Sequence, residues 1–413
     1  MNNSKIIYVS DFSALFSFFL MIFQSCFLTL FQGQGWIACA LMLLVNSKNI
    51  KNILNIFLNT NLKFFFFIFW IFMIIKCIPF QWITYMTFVF IATITFLLNY
   101  INTNRSFVND LYKFLTFVFY YSIAHVIVLL LFNQYLQPAS LISGIQPYTF
   151  LYLFFYNYSR VDGFFRIQGF TWEPGNWQLF LNLFFYFSII KNRKLTVLLL
   201  VSICIYFTHS TNGYLLLIVN WAIWIYNSKY KTIIIPIIAG ISIMVLPLLR
   251  TNIESKFSGD NQVSGLARIR DIEVGRLLIT KYPLIGTNPE TINMIPEVRI
   301  LKENIFYNNM GKSANDLNTA GFVDDGFLNG LLQVFLDWGI IMALIIYICY
   351  CRSPLLNDKK TMLLFSFIVF LSMTAEPISR TIFFYIFPFS TLIMKSNTKT
   401  YINGKNFNNY SDI

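Results

Sequence analysis

Charge is scarce in this sequence. Only 12% of its 413 residues are Asp, Glu, Lys or Arg, about half of the ~25% carried by an ordinary soluble domain. With 57% hydrophobic residues and 47 phenylalanines, that shortage excludes a water-soluble globular chain. Histidine is almost missing, with two residues. The six cysteines (Cys26, Cys39, Cys77, Cys204, Cys349 and Cys351) all lie in or beside apolar segments. There is no CxxC pair and no His-Cys cluster, so neither a disulfide framework nor a metal centre is implied. The cysteines read as small packing residues. P-loop, GxGxxG, HExxH and Ser-His-Asp patterns are absent as well, and no cofactor is expected. No basic patch is interleaved with aromatics outside the apolar segments, which argues against a nucleic-acid partner.

What is present is a succession of apolar segments, each near the roughly 20 residues that span a bilayer. The first, "MNNSKIIYVSDFSALFSFFLMIFQ", has no small-residue cleavage site after its apolar run and reads as a retained helix. Net charge is +12, unevenly spread: residues 250–325 hold 9 Lys+Arg and 10 Asp+Glu, and the remainder holds 21 Lys+Arg against 8 Asp+Glu. Lys and Arg concentrate in the short connections 46–63, 191–194, 228–231 and 351–360 and in the tail from Lys395, the asymmetry that keeps such loops in the cytoplasm.

Helices threaded between these connections fall near 12–31, 34–46, 64–79, 82–99, 114–133, 177–190, 195–208, 212–227, 232–249, 326–350, 361–375 and 378–394. The expected fold is therefore an all-α polytopic integral membrane protein with about 12 transmembrane helices and both termini cytoplasmic. It divides into N-terminal helices (1–133), a first outer loop (134–176), central helices (177–249), a large outer loop (250–325) and C-terminal helices with a cytoplasmic tail (326–413). "YTFLYLFFYNY" (148–158) is apolar but has no place as a crossing, and is expected as a membrane-hugging or re-entrant element.

Chemistry concentrates in three stretches. In "RIQGFTWEPGNWQLF" (166–180), Pro174 suits the first turn of a helix and Glu173 is favoured beside its N-terminus. Arg166 reads either as a snorkelling side chain or as a fork for a phosphate. In "SGLARIRDIEVGRLLITKYPLIG" (264–286), a helix should stop before Pro283. Arg268 and Arg276 fall about 40° either side of Ile272 and flank one apolar face, as on a helix lying at the membrane surface. Arg270 is spaced to pair with Glu273. In "FVDDGFLNGLLQVFLDWGI" (322–340), Asp325, Asn329, Gln333 and Asp337 recur every four residues. Asp337 lies about 18 Å along that helix, so the stripe should face the bundle interior or a water-filled cavity. A second tier comprises His209 at an outer helix end, and Glu376 with Arg380 in "TAEPISR", spaced to pair. His125, alone in an apolar span, reads as a helix–helix hydrogen bonder.

The order of "RIQGFTWEPGNW", "THSTNGYLLL", "SG…R…YPLIG" and "DDGFLNGLLQVFLDWG" resembles the O-antigen polymerase and ligase superfamily, and within it the Wzy-type O-antigen polymerases. The likeness covers the chain from Arg160 onward. It implies a GT-C-like, metal-independent glycosyltransferase at the periplasmic face of the bacterial inner membrane. Its partners would be undecaprenyl-pyrophosphate-linked glycan donor and acceptor and membrane lipids, with a chain-length regulator and a flippase as further candidates. Carried over, Arg166, Arg268 and Arg276 would clamp the pyrophosphate. Asp324 or Asp325 would activate the acceptor hydroxyl, with Glu173 orienting it or sharing that role. Ligases of the superfamily carry a histidine where this chain has "VDDG", which favours polymerase over ligase. A polysaccharide flippase or other transporter is the alternative from a different class.

Overall fold

The computed structural model describes residues 3–25, 33–46, 62–103, 106–139, 147–159, 164–171, 173–227, 262–287, 292–310, 329–356 and 358–401. Its helices are α1 (Asn3–Ser25), α2 (Gln34–Val45), α3 (Leu62–Ile75), α4 (Phe80–Thr103), α5 (Phe107–Phe132), α6 (Pro174–Ile190), α7 (Leu195–Tyr206), α8 (Thr211–Asn227), α9 (Gln262–Lys281), α10 (Pro296–Met310), α11 (Gly330–Cys351), α12 (Lys359–Met373) and α13 (Ile382–Tyr401). Helix is the form such segments must take, because only it satisfies every backbone polar group without water or a partner strand. Helices occupy the segments expected as spans except 232–249, which lies outside the described residues.

Three stretches, Phe80–Leu98, Phe107–Tyr135 and Gly330–Cys351, are long and apolar enough to cross a membrane. Two of them leave apolar stripes uncovered. On α5 these are Phe117, Tyr120, Ile127 and Leu130, and on α11 they are Ile341, Leu344, Ile345 and Ile348. A periodic apolar stripe with nothing packed on it is the face a helix turns to lipid. The chain is a mostly helical protein of membrane character.

At the centre stands α6. Every residue from Pro174 to Ile189 is buried, and α5, α7, α8 and α12 pack around it. Its interior also holds a polar column. Gln178 Nε2 donates to Ser372 Oγ at 3.0 Å, Asn182 Nδ2 to Gln178 Oε1 at 2.8 Å, and Asn220 Nδ2 to Asn182 Oδ1 at 3.0 Å. Such bonds between apolar helices fix their rotation and register.

The all-α expectation fails in the stretch expected as the first outer loop. Residues 134–176 contain a four-stranded antiparallel sheet, β1 (Gln137–Pro138), β2 (Tyr148–Phe150), β3 (Phe154–Ser159) and β4 (Phe164–Ile167), paired in sequence order. Phe, Tyr and Thr favour a pleated, half-buried surface, and this one lies on α5. The Phe154 ring is 5.6 Å from that of Tyr121 and 4.9 Å from that of His125, and Tyr156 Oη donates to the His125 carbonyl at 3.0 Å. His125, expected to bond another helix, instead places Nδ1 against the Tyr121 carbonyl of its own helix at 3.1 Å. The β2–β3 hairpin turns at Leu151 and Tyr152, both left-handed (φ 53 and 54), as the right-handed strand twist demands. Its tip meets Tyr121, whose hydroxyl bonds the Leu153 carbonyl. Tyr121 lies about 16 Å before the end of α5 at ~1.5 Å per residue, and the stretch expected as a membrane-hugging or re-entrant element takes the form of a β-hairpin against that helix.

A second departure interrupts α11. Gly339 adopts φ 71 and ψ 173, breaking the helix into two. The turn after α9 enters the break: Ile340 N–H donates to the Pro283 carbonyl at 2.8 Å, and Thr287 N–H donates to the Leu336 carbonyl at 2.7 Å. Groups freed by the kink are thereby satisfied. A Cβ on Gly339 would overlap the Leu284 carbonyl and one on Gly286 the Leu336 carbonyl, so this close approach requires both glycines.

Candidate functional site

Three motifs that are distant in sequence meet at one end of the bundle. Pro174 opens α6 at its first position and Glu173 is the N-cap, with no capping bond from its side chain. Against this first turn lies Glu376 of the "TAEPISR" turn, so close that a Cβ on Gly175 would overlap its Oε1. Glu376 is buried, and the positive end of the α6 dipole favours its carboxylate there. The backbone carbonyl of Glu376 in turn faces Gly330, the first residue of α11.

The polar stripe of α11 lies along the same turn. Ser379 Oγ donates to Gln333 Oε1 at 3.0 Å. Arg380 forks onto Asp337, with Nε to Oδ2 at 2.8 Å and a terminal nitrogen to Oδ1 at 2.6 Å. Asp337 thus faces the bundle interior, its side chain 5% exposed against 26% for Arg380. The guanidinium also lies 5.3 Å from the centre of the Trp82 ring. Lys76, at the end of α3, donates its ammonium to the backbone carbonyl of Asp337. Two cations therefore meet at Asp337, one on its carboxylate and the other on its backbone carbonyl. The expected Glu376–Arg380 pair does not form this way, because residues 378–380 make a 3-10 turn after Pro377. The i,i+4 geometry requires a continuous helix.

α9 docks onto the start of α11 through a buried ion pair. Arg270 Nε and a terminal nitrogen both donate to Asp271 Oδ1, at 3.1 and 2.9 Å, with both side chains 2% exposed. Asp271 Oδ2 accepts the Asn329 N–H at 3.1 Å, and Asn329 caps α11 by accepting from Leu332 N–H at 3.1 Å. The expected Arg270–Glu273 pairing is corrected: Glu273 faces Arg276 at 3.9 Å on the exposed side of the helix. Arg268 is half-buried, while Ile272 and Arg276 are exposed. The opposite face, with Val274 and Leu278, packs against Val298 and Leu336.

Arg166 serves backbone, not open space. From β4 its Nε donates to the Thr208 carbonyl at 3.2 Å and a terminal nitrogen to the His209 carbonyl at 3.1 Å, just past the end of α7. Cations are favoured at a helix C-terminus. His209 is left-handed (φ 46), stacks on Phe164 with centroids 3.9 Å apart, and sets Nδ1 3.3 Å from Tyr214 Oη. Asp324 and Asp325 lie outside the described residues, and Asn329 marks where the chain emerges from them into α11.

Sequence reasoning passed over several groups at this end. Gln168 and Asn176, both within the "RIQGFTWEPGNW" run, are buried with no hydrogen-bond partner for either side-chain polar atom among the described residues. Unpaired buried amides are costly in a fold that has no use for them. Lys76 carried a legible signal: a single cation at the end of an apolar segment needs a counter-charge, as does Asp337 inside one. No protein-family model, curated protein or solved structure matches the chain. Chemically, the assembled end offers two cations at Asp337, a buried acid at a helix N-terminus and two buried amides with no partner among the described residues. Those groups suit recognition of an anion and of a polar, hydroxyl-bearing ligand.

Proposed function

We propose that the chain is a membrane-embedded glycosyltransferase of the O-antigen polymerase kind. It would join polyprenyl-pyrophosphate-linked oligosaccharides at the outer face of a bacterial inner membrane. The observation that carries the reading is the gathering at one end of the bundle of the "WEPGN", "AEPISR" and α11 N-terminal motifs, with Lys76 and Arg380 both brought to Asp337. In this scheme Arg380 and Lys76 hold the pyrophosphate, and Arg268 and Arg276, on the exposed side of α9, are the candidates for drawing the anionic donor toward the site. Arg166 positions the β4 and α7 walls through its carbonyl bonds. The bond from the donor's anomeric carbon to its phosphate oxygen breaks, and the diphosphate leaves with the electron pair. The acceptor hydroxyl oxygen forms the new bond, and its proton passes to a carboxylate, for which Glu376, Asp324, Asp325 and Glu173 are the candidates. Cations over the leaving diphosphate stabilise the charge that grows in the transition state.

The broken helix at Gly339, beside the Asp337–Arg380 pair, favours a second reading. Transporters build substrate sites from interrupted helices of this kind, so the alternative is translocation of a lipid-linked glycan. Deleting the gene and running surface polysaccharide on a gel separates the two. Loss of polymerase leaves core capped by a single repeat, loss of a ligase leaves bare core with polymer retained on lipid, and loss of a flippase leaves neither. Within the first outcome, Arg268→Ala tests the outward arginine, and an unchanged polymer ladder would remove it from the site.

A further inference from the structure

The opposite end of α6 stops in a Schellman turn. Asn192 is left-handed (φ 49). Its N–H bonds the Ile189 carbonyl at 3.0 Å, and the Arg193 N–H bonds that of Ser188 at 2.9 Å, the pair of bonds that satisfies a helix C-terminus. The turn delivers Arg193 to the wall of a cavity of about 440 Å³ between the ends of α6 and α8 and the start of α12. There the guanidinium is held from one side: Nε donates to Tyr112 Oη at 2.9 Å, and the group lies 5.5 Å from the centre of that ring. Lys360, in the first turn of α12, lines the same cavity with its ammonium 5.6 Å from the centre of the Tyr226 ring.

Neither cation has a carboxylate in salt-bridge range among the described residues. Asp358, the nearby acid, caps α12 instead, accepting from Thr361 N–H at 2.9 Å and Thr361 Oγ1 at 3.1 Å. The backbone bond holds its carboxyl below the usual range, with Lys360 adding a smaller effect. Lys191 is turned to Asn109, its ammonium 2.9 Å from Oδ1. Residues 191–194 and 358–360 together hold five Lys or Arg and a single acid, so this end is strongly cationic. The rest of the cavity wall is largely apolar, from Ile190, Ile223, Trp224 and Leu364. Trp and Tyr beside exposed cations at a helix end mark headgroup depth in a bilayer.

We propose that this cavity binds the phosphodiester headgroup of an anionic membrane lipid. Arg193 offers the free end of a pre-oriented guanidinium to two phosphate oxygens, and Lys360 supplies a point charge beside it. The first acyl carbons lie along Ile190, Ile223 and Leu364. The volume is within the ~300–1,000 Å³ of ligand cavities, and basic pockets between membrane helices recognise anionic headgroups by the same physics. A free phosphate would match the cations but leave the isoleucine and leucine wall without a partner.

The test follows thermal unfolding of the full chain in neutral detergent, titrated separately with phosphatidylglycerol, phosphatidylcholine and inorganic phosphate. Binding to the folded state raises the melting temperature by mass action. Phosphatidylglycerol alone should stabilise. Lys360→Glu should weaken its apparent affinity by about tenfold or more, the value of one lost charged hydrogen bond, while the lipid-free melting temperature stays unchanged. Arg193→Lys, which keeps charge but loses the fork, should fall between. Equal stabilisation of wild type and Lys360→Glu by phosphatidylglycerol would overturn the site. So would stabilisation by phosphatidylcholine or inorganic phosphate matching that by phosphatidylglycerol.

Discussion

Removing one member of the Arg270–Asp271 pair leaves the other charged and buried at the α9–α11 junction, where both side chains are 2% exposed. Arg270→Met should therefore cost about 3–5 kcal/mol, and Asp271→Asn should fall in the same direction because the Asn329 N–H also loses a charged acceptor. The double substitution should lose less than the sum of the two, since the two side chains are in direct contact; unfolding in detergent measures all three. Arg380 and Asp337 allow stability and function to be separated. Arg380→Gln removes the fork on the buried Asp337 carboxylate and should lower both the melting temperature and polymer formation. Arg380→Gln with Asp337→Asn should recover much of the melting temperature and none of the polymer, if Arg380 binds the diphosphate. Recovery of polymer with stability would make the pair a structural strut. The sequence displayed these residues as lone charges in apolar surroundings, but not as partners, because 43 residues separate them. The near-neighbour rule favoured Glu376, and it fails where Pro377 replaces helix with a tight turn.

At the level of elements, α6 was legible from Glu-Pro before an apolar run, and the end of α9 from Pro283, because caps and breakers act locally. The sheet and the kink were not. The aromatic run 148–158 suits a buried helix or a strand, and only the surface of α5 decides between them. Gly339 sits inside an apolar run that continues on both sides, and its φ of 71 depends on the inserted turn 282–287. Gly339→Ala and Gly286→Ala should each destabilise by about 2 kcal/mol or more, since each combines positive φ with a backbone overlap. A control at Gly33, also at positive φ but in open space, should cost less. The α9–α10 connection carries an exposed pair, Lys281 Nζ to Glu297 Oε1 at 2.6 Å. Their hydrogen bond raises the lysine's pKa and lowers the glutamate's. Its stabilisation is therefore present between the two titrations, lost as pH falls through the lowered Glu297 value and as it rises through the raised Lys281 value. The melting difference between wild type and Glu297→Gln should be present at neutral pH and vanish in acid.

For the whole molecule, the two ends of α6 differ in charge balance. Asp337 and Asp271 offset Arg380 and Arg270 at one, while the basic turns at the other hold a single acid, and that difference predicts an orientation. Glu376, Asp271 and the start of α11 gather at its N-terminal end, and the α9 face bearing Arg276 belongs to that same end. At its C-terminal end lie the basic turns 191–194 and 358–360. Lys and Arg in short connections stay in the cytoplasm, so the end with Arg276 should face outward. Both Arg276 and Lys194 are exposed, and a cysteine at either position disturbs no buried contact. In intact cells, after replacement of the exposed Cys77, a membrane-impermeant maleimide should label Arg276→Cys. Lys194→Cys should react only after permeabilisation. If the accessibility were reversed, the cationic cavity would lie outside and the Glu376–Arg380 turn inside. A donor exposed at the outer surface could not then reach Glu376 or Arg380, and the proposed transferase would have its site on the wrong side of the membrane.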